Sequence, residues 1–266
     1  MAIKEVFRTA HEIWNARPIL RSEIQSELKS SIADSPIGYV WWFAEPLAMM
    51  LVFYFLIGVV FQRGGEGYLM SILTALVAWQ WFAKSIGNST TAFIKSKKFI
   101  SAINFPLSTL VLARVATNFV YFFFGMVLVV VFNYNSLSKM MFFLPILIFV
   151  QFIVTLGFGI LLALVTVFVR DVQRMIPVVL RALWFLSPVF YEASDVLMSD
   201  KVPAWGKMLF QLNPLSTLLT SYRAVILYGE MPQWSGLAAW SAVGLLLIAL
   251  GGVSLRRTGG ILPKLV

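Results

Sequence analysis

The chain has 266 residues, of which 59% are hydrophobic and 12% are charged, and its formal net charge at pH 7 is +9. Soluble domains are roughly 45–50% apolar and about 25% charged, and disordered chains are more polar still, so the composition excludes both classes. The absence of cysteine and the single histidine exclude a disulfide framework, a thiolate metal site and a cluster of histidine ligands, and no metal site is predicted.

Residues 1–34 lack the uninterrupted apolar core of a signal peptide. They are predicted instead to form a cytoplasmic amphipathic arm. Apolar side chains recur at helical spacing from Ile3 to Trp14, and Pro18 separates them from a second amphipathic stretch that begins at Leu20. Such a helix is expected to lie in the membrane interface. Because the arm also carries acidic residues, a contact between its polar face and a protein partner is an open alternative.

Six apolar runs follow the arm, and a bilayer core requires about 20 apolar residues per helix. The runs are residues 37–61, 68–91, 107–132, 140–169, 175–191 and 237–255. We therefore predict an all-α membrane protein with a six-span domain over residues 35–257 and a short tail over residues 258–266.

Lysine and arginine are unevenly distributed between the two sides of this arrangement. The arm, the second and fourth loops and the tail hold more basic residues than the outer loops, and basic loops stay in the cytoplasm. Both termini are therefore predicted to be cytoplasmic, with membrane lipids around the spans. The positive charge reflects this topology, and no basic cluster on a soluble face indicates a nucleic-acid partner.

The outer segment at about residues 195–230 is too apolar for a solvated loop. Its two apolar stretches, residues 203–212 and 215–228, would be roughly 15 and 21 Å long as helices, whereas the bilayer core is about 30 Å thick. Between them, Asn213 is a good N-cap and Pro214 a good first helical residue. The pattern predicts a re-entrant helical hairpin that enters from the outer side; a surface helix pair that caps the bundle is the alternative.

Ionisable residues lie within the predicted spans. They are Glu45, Lys84, Arg114 and Arg181. Such groups are costly in lipid and usually face the bundle interior or a water path, although the basic side chains could instead extend to the cytoplasmic interface. Glu45 requires a partner, for which Arg181 and Lys84 are the candidates. Lys84 shares a helical face with Gln80 and Asn88.

Aromatic residues are concentrated in the first and fifth predicted spans. They include Tyr39, Trp42, Phe53, Tyr54, Trp184, Phe185, Phe190 and Tyr191. Aromatic faces stack on sugar rings and would offer a glycan a surface that tolerates many sequences, while ordinary packing is the alternative for each ring.

Sequence motifs for ATP binding and for hydrolysis are missing. The chain contains no G-x-x-x-x-G-K-[ST] phosphate loop, no H-E-x-x-H and no G-x-S-x-G. We therefore predict a protein that is not an enzyme and binds no cofactor, so any energy from ATP must come from another chain.

Several short motifs occur in a characteristic order along the chain. They are residues 35–41 (SPIGYVW) with 45–47 (EPL), 104–107 (NFPL), 170–172 (RDV), 187–191 (SPVFY), and 213–215 (NPL) with Tyr222 and Arg223. Together they resemble the permeases of the type-2 polysaccharide family of ATP-binding-cassette exporters. The resemblance extends from about residue 20 to residue 257.

The resemblance implies a half-transporter that works as a homodimer with two separate nucleotide-binding subunits, which hold ATP and Mg²⁺. The family exports lipid-linked O-antigen, capsular polysaccharide or teichoic acid across the bacterial plasma membrane. A drug or lipid exporter of the same superfamily is the alternative, and an integral-membrane glycosyl- or acyltransferase is a distant one.

The resemblance also implies roles for particular residues. Those expected to couple the permease to the ATPase are Lys95, Lys97, Lys98, Phe99, Asn104, Phe105, Arg170, Asp171 and Arg174. Those expected to line the translocation path are Tyr39, Trp42, Glu45, Phe53, Tyr54, Lys84, Arg181, Trp184, Phe185 and Tyr191. Asn213, Pro214, Tyr222 and Arg223 are expected to form the outer hairpin.

Overall fold

The computed structural model describes the chain except residues 1, 32, 34–35, 63–66, 103–104, 135–137, 261 and 263–266. Every regular element within the described residues is helical, which confirms the predicted all-α class. In the described part of the chain, five helices are long and apolar enough to cross a membrane. They are α3 (Gly38–Val60), α4 (Tyr68–Thr90), α7 (Ser108–Phe132), α8 (Lys139–Phe168) and α13 (Trp234–Thr258).

The remaining helices are shorter. The arm forms α1 (Ala2–Asn15) and α2 (Arg17–Ser30), and α5 (Ala92–Lys95) and α6 (Lys97–Ala102) follow α4. The second half of the chain contributes α9 (Val172–Leu186), α10 (Ala193–Leu197), α11 (Ala204–Gln211) and α12 (Pro214–Arg223), which continues as a π-helical turn over Ala224–Tyr228.

Helix α9 corrects one sequence prediction, because the apolar run over residues 175–191 is not a single helix. Helix α9 has 15 residues and is therefore about 22 Å long. It ends at Leu186, and Ser187 is extended with φ −106° and ψ 147°. The cause is Pro188, which has no amide hydrogen and disfavours a helical conformation in the residue before it.

Helix α4 is the centre of the bundle. It packs against α3, α7, α8, α9 and α12, and 72% of its most apolar segment is buried. Helices α8 and α13 approach closely at Gly157 and Gly244, where a Cβ atom on Gly157 would lie 2.7 Å from the carbonyl oxygen of Gly244. Glycine at this crossing brings the two backbones together, as small residues commonly do in membrane bundles.

The arm packs on the ends of two spans. Helix α1 lies against α13 and α2 lies against α7. Arg256 of α13 pairs with Glu5 and Glu12 of the arm, while Arg114 of α7 pairs with Glu23 and Glu27. These acidic side chains therefore bind basic residues of the same chain.

Helix α1 has two apolar surfaces instead of one. Ile13 is buried against the bundle, but Phe7 and Trp14 are 71% and 65% exposed. Two large apolar side chains one heptad apart on the free side of the helix fit the predicted position in the membrane interface.

Candidate functional site

The residues predicted to line a path fall into two separate groups. Tyr39, Trp42, Glu45 and Lys84 lie together between α3, α4 and α7. Phe53, Trp184, Phe185 and Tyr191 belong to an aromatic group formed by α3, α4, α9 and the segment after α9. Tyr54 and Arg181 are exposed outside both groups.

Trp42, Glu45 and Lys84 of the first group line a cavity of about 320 Å³, which we call the polar cavity. Its lining includes an ion pair in which Lys84 Nζ donates to Glu45 Oε2 at 2.5 Å. Of the two predicted partners of Glu45, Lys84 is therefore the correct one and Arg181 is not. Gln80 and Asn88 lie one turn on either side of Lys84 and also line the polar cavity, so the predicted polar face of α4 is present.

Aromatic side chains close one side of the polar cavity. The ring of Trp42 lies 4.7 Å from Tyr39 and 5.1 Å from Tyr121, both in edge-to-face geometry. Trp41 also lines the polar cavity and is 53% exposed. Pro46 follows on the same wall, where its missing amide leaves the carbonyl of Trp42 without a helical donor.

The second group is a packed cluster of rings. Phe53 stacks on Phe190 with a centroid distance of 5.7 Å and an interplanar angle of 4°, and it also contacts Trp184. Trp184 in turn meets Trp79 edge-to-face at 5.4 Å. Phe53 and Trp184 therefore pack against other rings, whereas Phe185 contacts Phe190 edge-to-face at 6.0 Å and is 61% exposed.

Arg223 binds the segment that follows α9 and holds it against the bundle. Its side chain is 2% exposed and donates to the carbonyl oxygens of Pro188 at 2.7 Å, Val189 at 2.9 Å and Tyr191 at 2.9 Å. It also donates to the carbonyl oxygen of Ser71 at 3.1 Å. A single guanidinium thus supplies donors to the three carbonyls after α9, which lie outside any helix.

Glu192 is the acidic partner of this arginine, and sequence reasoning assigned it no role. Its Oε1 lies 3.7 Å from Arg223 and accepts hydrogen bonds from Ser71 Oγ at 2.5 Å and Tyr228 Oη at 2.9 Å. Its backbone amide also forms a capping box with Asp195 at the start of α10. The only signal in the sequence was an acidic residue directly after an apolar run.

Asn213 joins the ends of two helices. Its Oδ1 accepts from the backbone amide of Leu215 at 3.0 Å, which confirms the predicted N-cap of α12. Its Nδ2 donates to Ser187 Oγ at 2.8 Å and to the carbonyl of Leu186 at 3.3 Å. Pro214 is the first residue of α12, and Tyr222 is fully buried near Phe122.

The residues assigned to ATPase coupling lie after α4, in the turn between α8 and α9, and in the first turn of α9. Lys95, Lys97, Arg170, Asp171 and Arg174 are all exposed. Phe99 instead packs on Phe105 with a centroid distance of 5.0 Å, so it anchors α6 to the bundle. The side chain of Lys98 and all of Asn104 lie outside the described residues.

Among the described residues, no group of three or more histidine or acidic side chains is placed to bind a metal ion.

The fold and these sites define a polytopic helical membrane protein with an ion pair between two of its long apolar helices. The chain belongs to the ABC-2 type transporter family, whose model matches residues 20–227. Members of this family are the transmembrane subunits of their transporters. The family resemblance inferred from the sequence motifs is thus confirmed.

Three relatives cover most of the chain, and each is an O-antigen export system permease protein RfbA. The protein from Myxococcus xanthus is 28% identical over 248 residues, which are 91% of this chain and 93% of that protein. Two proteins from Klebsiella pneumoniae are 27% and 28% identical over 230 and 210 residues, with 85% and 77% of this chain and 86% and 78% of those proteins covered.

Proposed function

We propose that this chain is the permease subunit of an ATP-driven exporter that moves a lipid-linked polysaccharide from the cytoplasm across the plasma membrane. The observation that carries the proposal is the match to O-antigen export permeases over as much as 91% of the chain. Because the sequence lacks a phosphate-binding loop, ATP and Mg²⁺ would be held by a separate nucleotide-binding subunit, and both termini of the permease would lie on its cytoplasmic side.

A homodimer is supported by the two outermost helices. Only 11% of the most apolar segment of α3 is buried within the chain, and Ile176 is the sole buried residue of α9. Arg181 is exposed in the middle of α9 and has no partner among the residues described. An arginine that faces lipid at mid-membrane costs about 2.5–3.5 kcal/mol. Two copies that meet along α3 and α9 would place Arg181 beside a hydrated path instead.

A sixth span is supported by the contacts of the segment after α9. Helix α9 is too short to cross alone, and residues 187–191 would complete the crossing without helical hydrogen bonds. Irregular backbone at membrane depth is tolerated only where protein satisfies it. Arg223 and Asn213 provide that satisfaction for the carbonyls of Leu186, Pro188, Val189 and Tyr191.

A re-entrant position of α11 and α12 is supported by the burial of α12 and by the apolar side chains that α11 exposes. Most of α12 is buried in the bundle, whereas α11 exposes Trp205, Met208 and Leu209 at 69%, 61% and 56%. Three large apolar side chains on one short helix form a surface suited to lipid.

Purification of the protein from its native membranes in a mild detergent tests the function. We expect a stoichiometric partner that carries a phosphate-binding loop, together with a lipid-linked glycan, and mass spectrometry would identify both. Deletion of the gene should remove the polysaccharide from the cell surface and leave lipid-linked polymer inside the cell. Normal surface polysaccharide in the deletion strain would refute the proposal, and export of a drug or an unmodified lipid would select the alternative.

A further inference from the structure

We propose that the polar cavity binds one or two sugar residues of the cargo within a single protomer, apart from the aromatic group at the other end of α3. The inference rests on the proposed function, because it assigns a binding site to the glycan of that cargo. The volume of about 320 Å³ lies at the lower end of the roughly 300–1,000 Å³ typical of small-molecule sites. A compact ligand of one or two rings fits this size.

The charge of the polar cavity favours a neutral ligand. Lys84 and Glu45 form an ion pair at 2.5 Å, so the positive charge of Lys84 is already compensated and a phosphate group gains little from it. Both side chains keep further capacity, since an ammonium group has three donors and a carboxylate has about four acceptor positions. Sugar hydroxyls, which both donate and accept, match such a pair.

Side-chain amides extend this pattern along α4. Gln80 and Asn88 line the polar cavity, and neither side-chain amide has a hydrogen-bond partner within the part of the chain that the structure describes. Each amide offers two donors and one carbonyl acceptor. With Lys84 between them, they form a row of polar groups along one side of α4 and across from α3.

Aromatic rings provide the opposite wall. Trp41 is 53% exposed and makes no ring contact with the described residues, so one face of its indole is free to stack on the C–H face of a sugar. Trp42 also lines the polar cavity, and its contacts with Tyr39 and Tyr121 hold it in position. Amides, one compensated ion pair and an available indole constitute a site for an uncharged, hydroxylated ring.

The polar cavity is also accessible from the arm. Ser31 follows α2 directly and lines the cavity, and the chain contains no cysteine. The substitution Ser31→Cys therefore introduces the only thiol at the rim with a small change in side-chain size. A short photoactivatable diazirine, attached through a methanethiosulfonate group, would then report what occupies the polar cavity.

The experiment uses the full exporter in native membranes, with the Ser31→Cys permease cross-linked during export and its peptides analysed by mass spectrometry. We expect hexose-containing adducts on the peptide with the new thiol, and no such adducts in cells that do not synthesise the glycan. Phe149→Cys, at a side chain 62% exposed on α8, is the matched control and should yield phospholipid adducts only.

Substitutions in the polar cavity complete the test. Adding Gln80→Leu and Asn88→Leu to the Ser31→Cys permease should lower the yield of hexose adducts at least fivefold, with the assembled complex still recovered from the membrane. Phospholipid adducts alone at position 31 would overturn the proposal, as would hexose adducts of equal yield at positions 31 and 149. In either case, normal surface polysaccharide would show that the proposed export function stands and only the sugar site is wrong.

Discussion

Replacement of Arg223 by methionine should destabilise the protein strongly. The change keeps an apolar stem of similar length but removes the donors to the carbonyls of Pro188, Val189 and Tyr191. A buried acceptor left unpaired costs about 1–3 kcal/mol, so three acceptors correspond to roughly 3–9 kcal/mol. Because the segment can relax in part and contributions within one network are not additive, we expect a loss of about 4 kcal/mol in the free energy of unfolding.

Thermal unfolding of the purified protein in detergent measures this loss. For chains of this size, 1 kcal/mol corresponds to a shift of about 2–4 °C in Tm, so Arg223→Met should lower Tm by about 8–16 °C. Arg223→Lys should give an intermediate shift, because an ammonium group retains the charge but not the planar fork of donors. Arg257→Met, at an exposed position near the end of α13, is the control and should leave Tm unchanged.

The result that refutes this reasoning is an Arg223→Met protein whose Tm lies within about 2 °C of the unsubstituted protein. The carbonyls after α9 would then find other donors, and Arg223 would not hold the segment in place. Equal shifts for Arg223→Lys and Arg223→Met would instead show that the fork geometry of the guanidinium is essential.

Three further outcomes are expected. A double-mutant cycle with Lys84→Met and Glu45→Gln should give a coupling of about 1 kcal/mol in unfolding free energy; additive effects would show that the ion pair contributes no net stability. Arg170→Glu should reduce permease-stimulated ATP hydrolysis severalfold with Tm unchanged, and undiminished stimulation would remove this loop from the docking surface. A cysteine in place of Trp205 should resist a bulky membrane-impermeant reagent that modifies a cysteine in place of Met198, and equal labelling would place α11 in water.

Long apolar runs and local capping signals could be predicted from the sequence because both depend on neighbouring residues. The five long helices begin and end within three residues of the predicted runs. Asn213 caps α12 through a bond to the amide two residues later. The sequence also contains a signal for the end of α9, since Pro188 disfavours a helical conformation in the residue before it. The apolar run continues through Pro188 to residue 191, and hydropathy alone therefore predicts a longer helix.

Contacts between distant segments could not be predicted in this way. Arg256 pairs with Glu12 across 244 residues, and Ser71 binds Glu192 across 121 residues. Periodicity places a side chain on a face of its own helix but does not identify the element opposite that face. For Glu45 it therefore left two candidates, and only the packing of α3 on α4 selects Lys84.

The contacts at both ends of α9 connect the two regions proposed to act during export. Helix α9 begins at Val172, directly after the exposed turn assigned to ATPase coupling, and it ends at Leu186. Beyond that end, Asn213 and Arg223 bind the α9 terminus and the segment that follows it to α12. Helix α9 also packs against α4, so we expect a movement imposed at Val172 to reach α12 both through α4 and through the contacts of Asn213 and Arg223. If the turn before Val172 docks the ATPase, the end of α9 would be the point at which that turn is connected to α11 and α12.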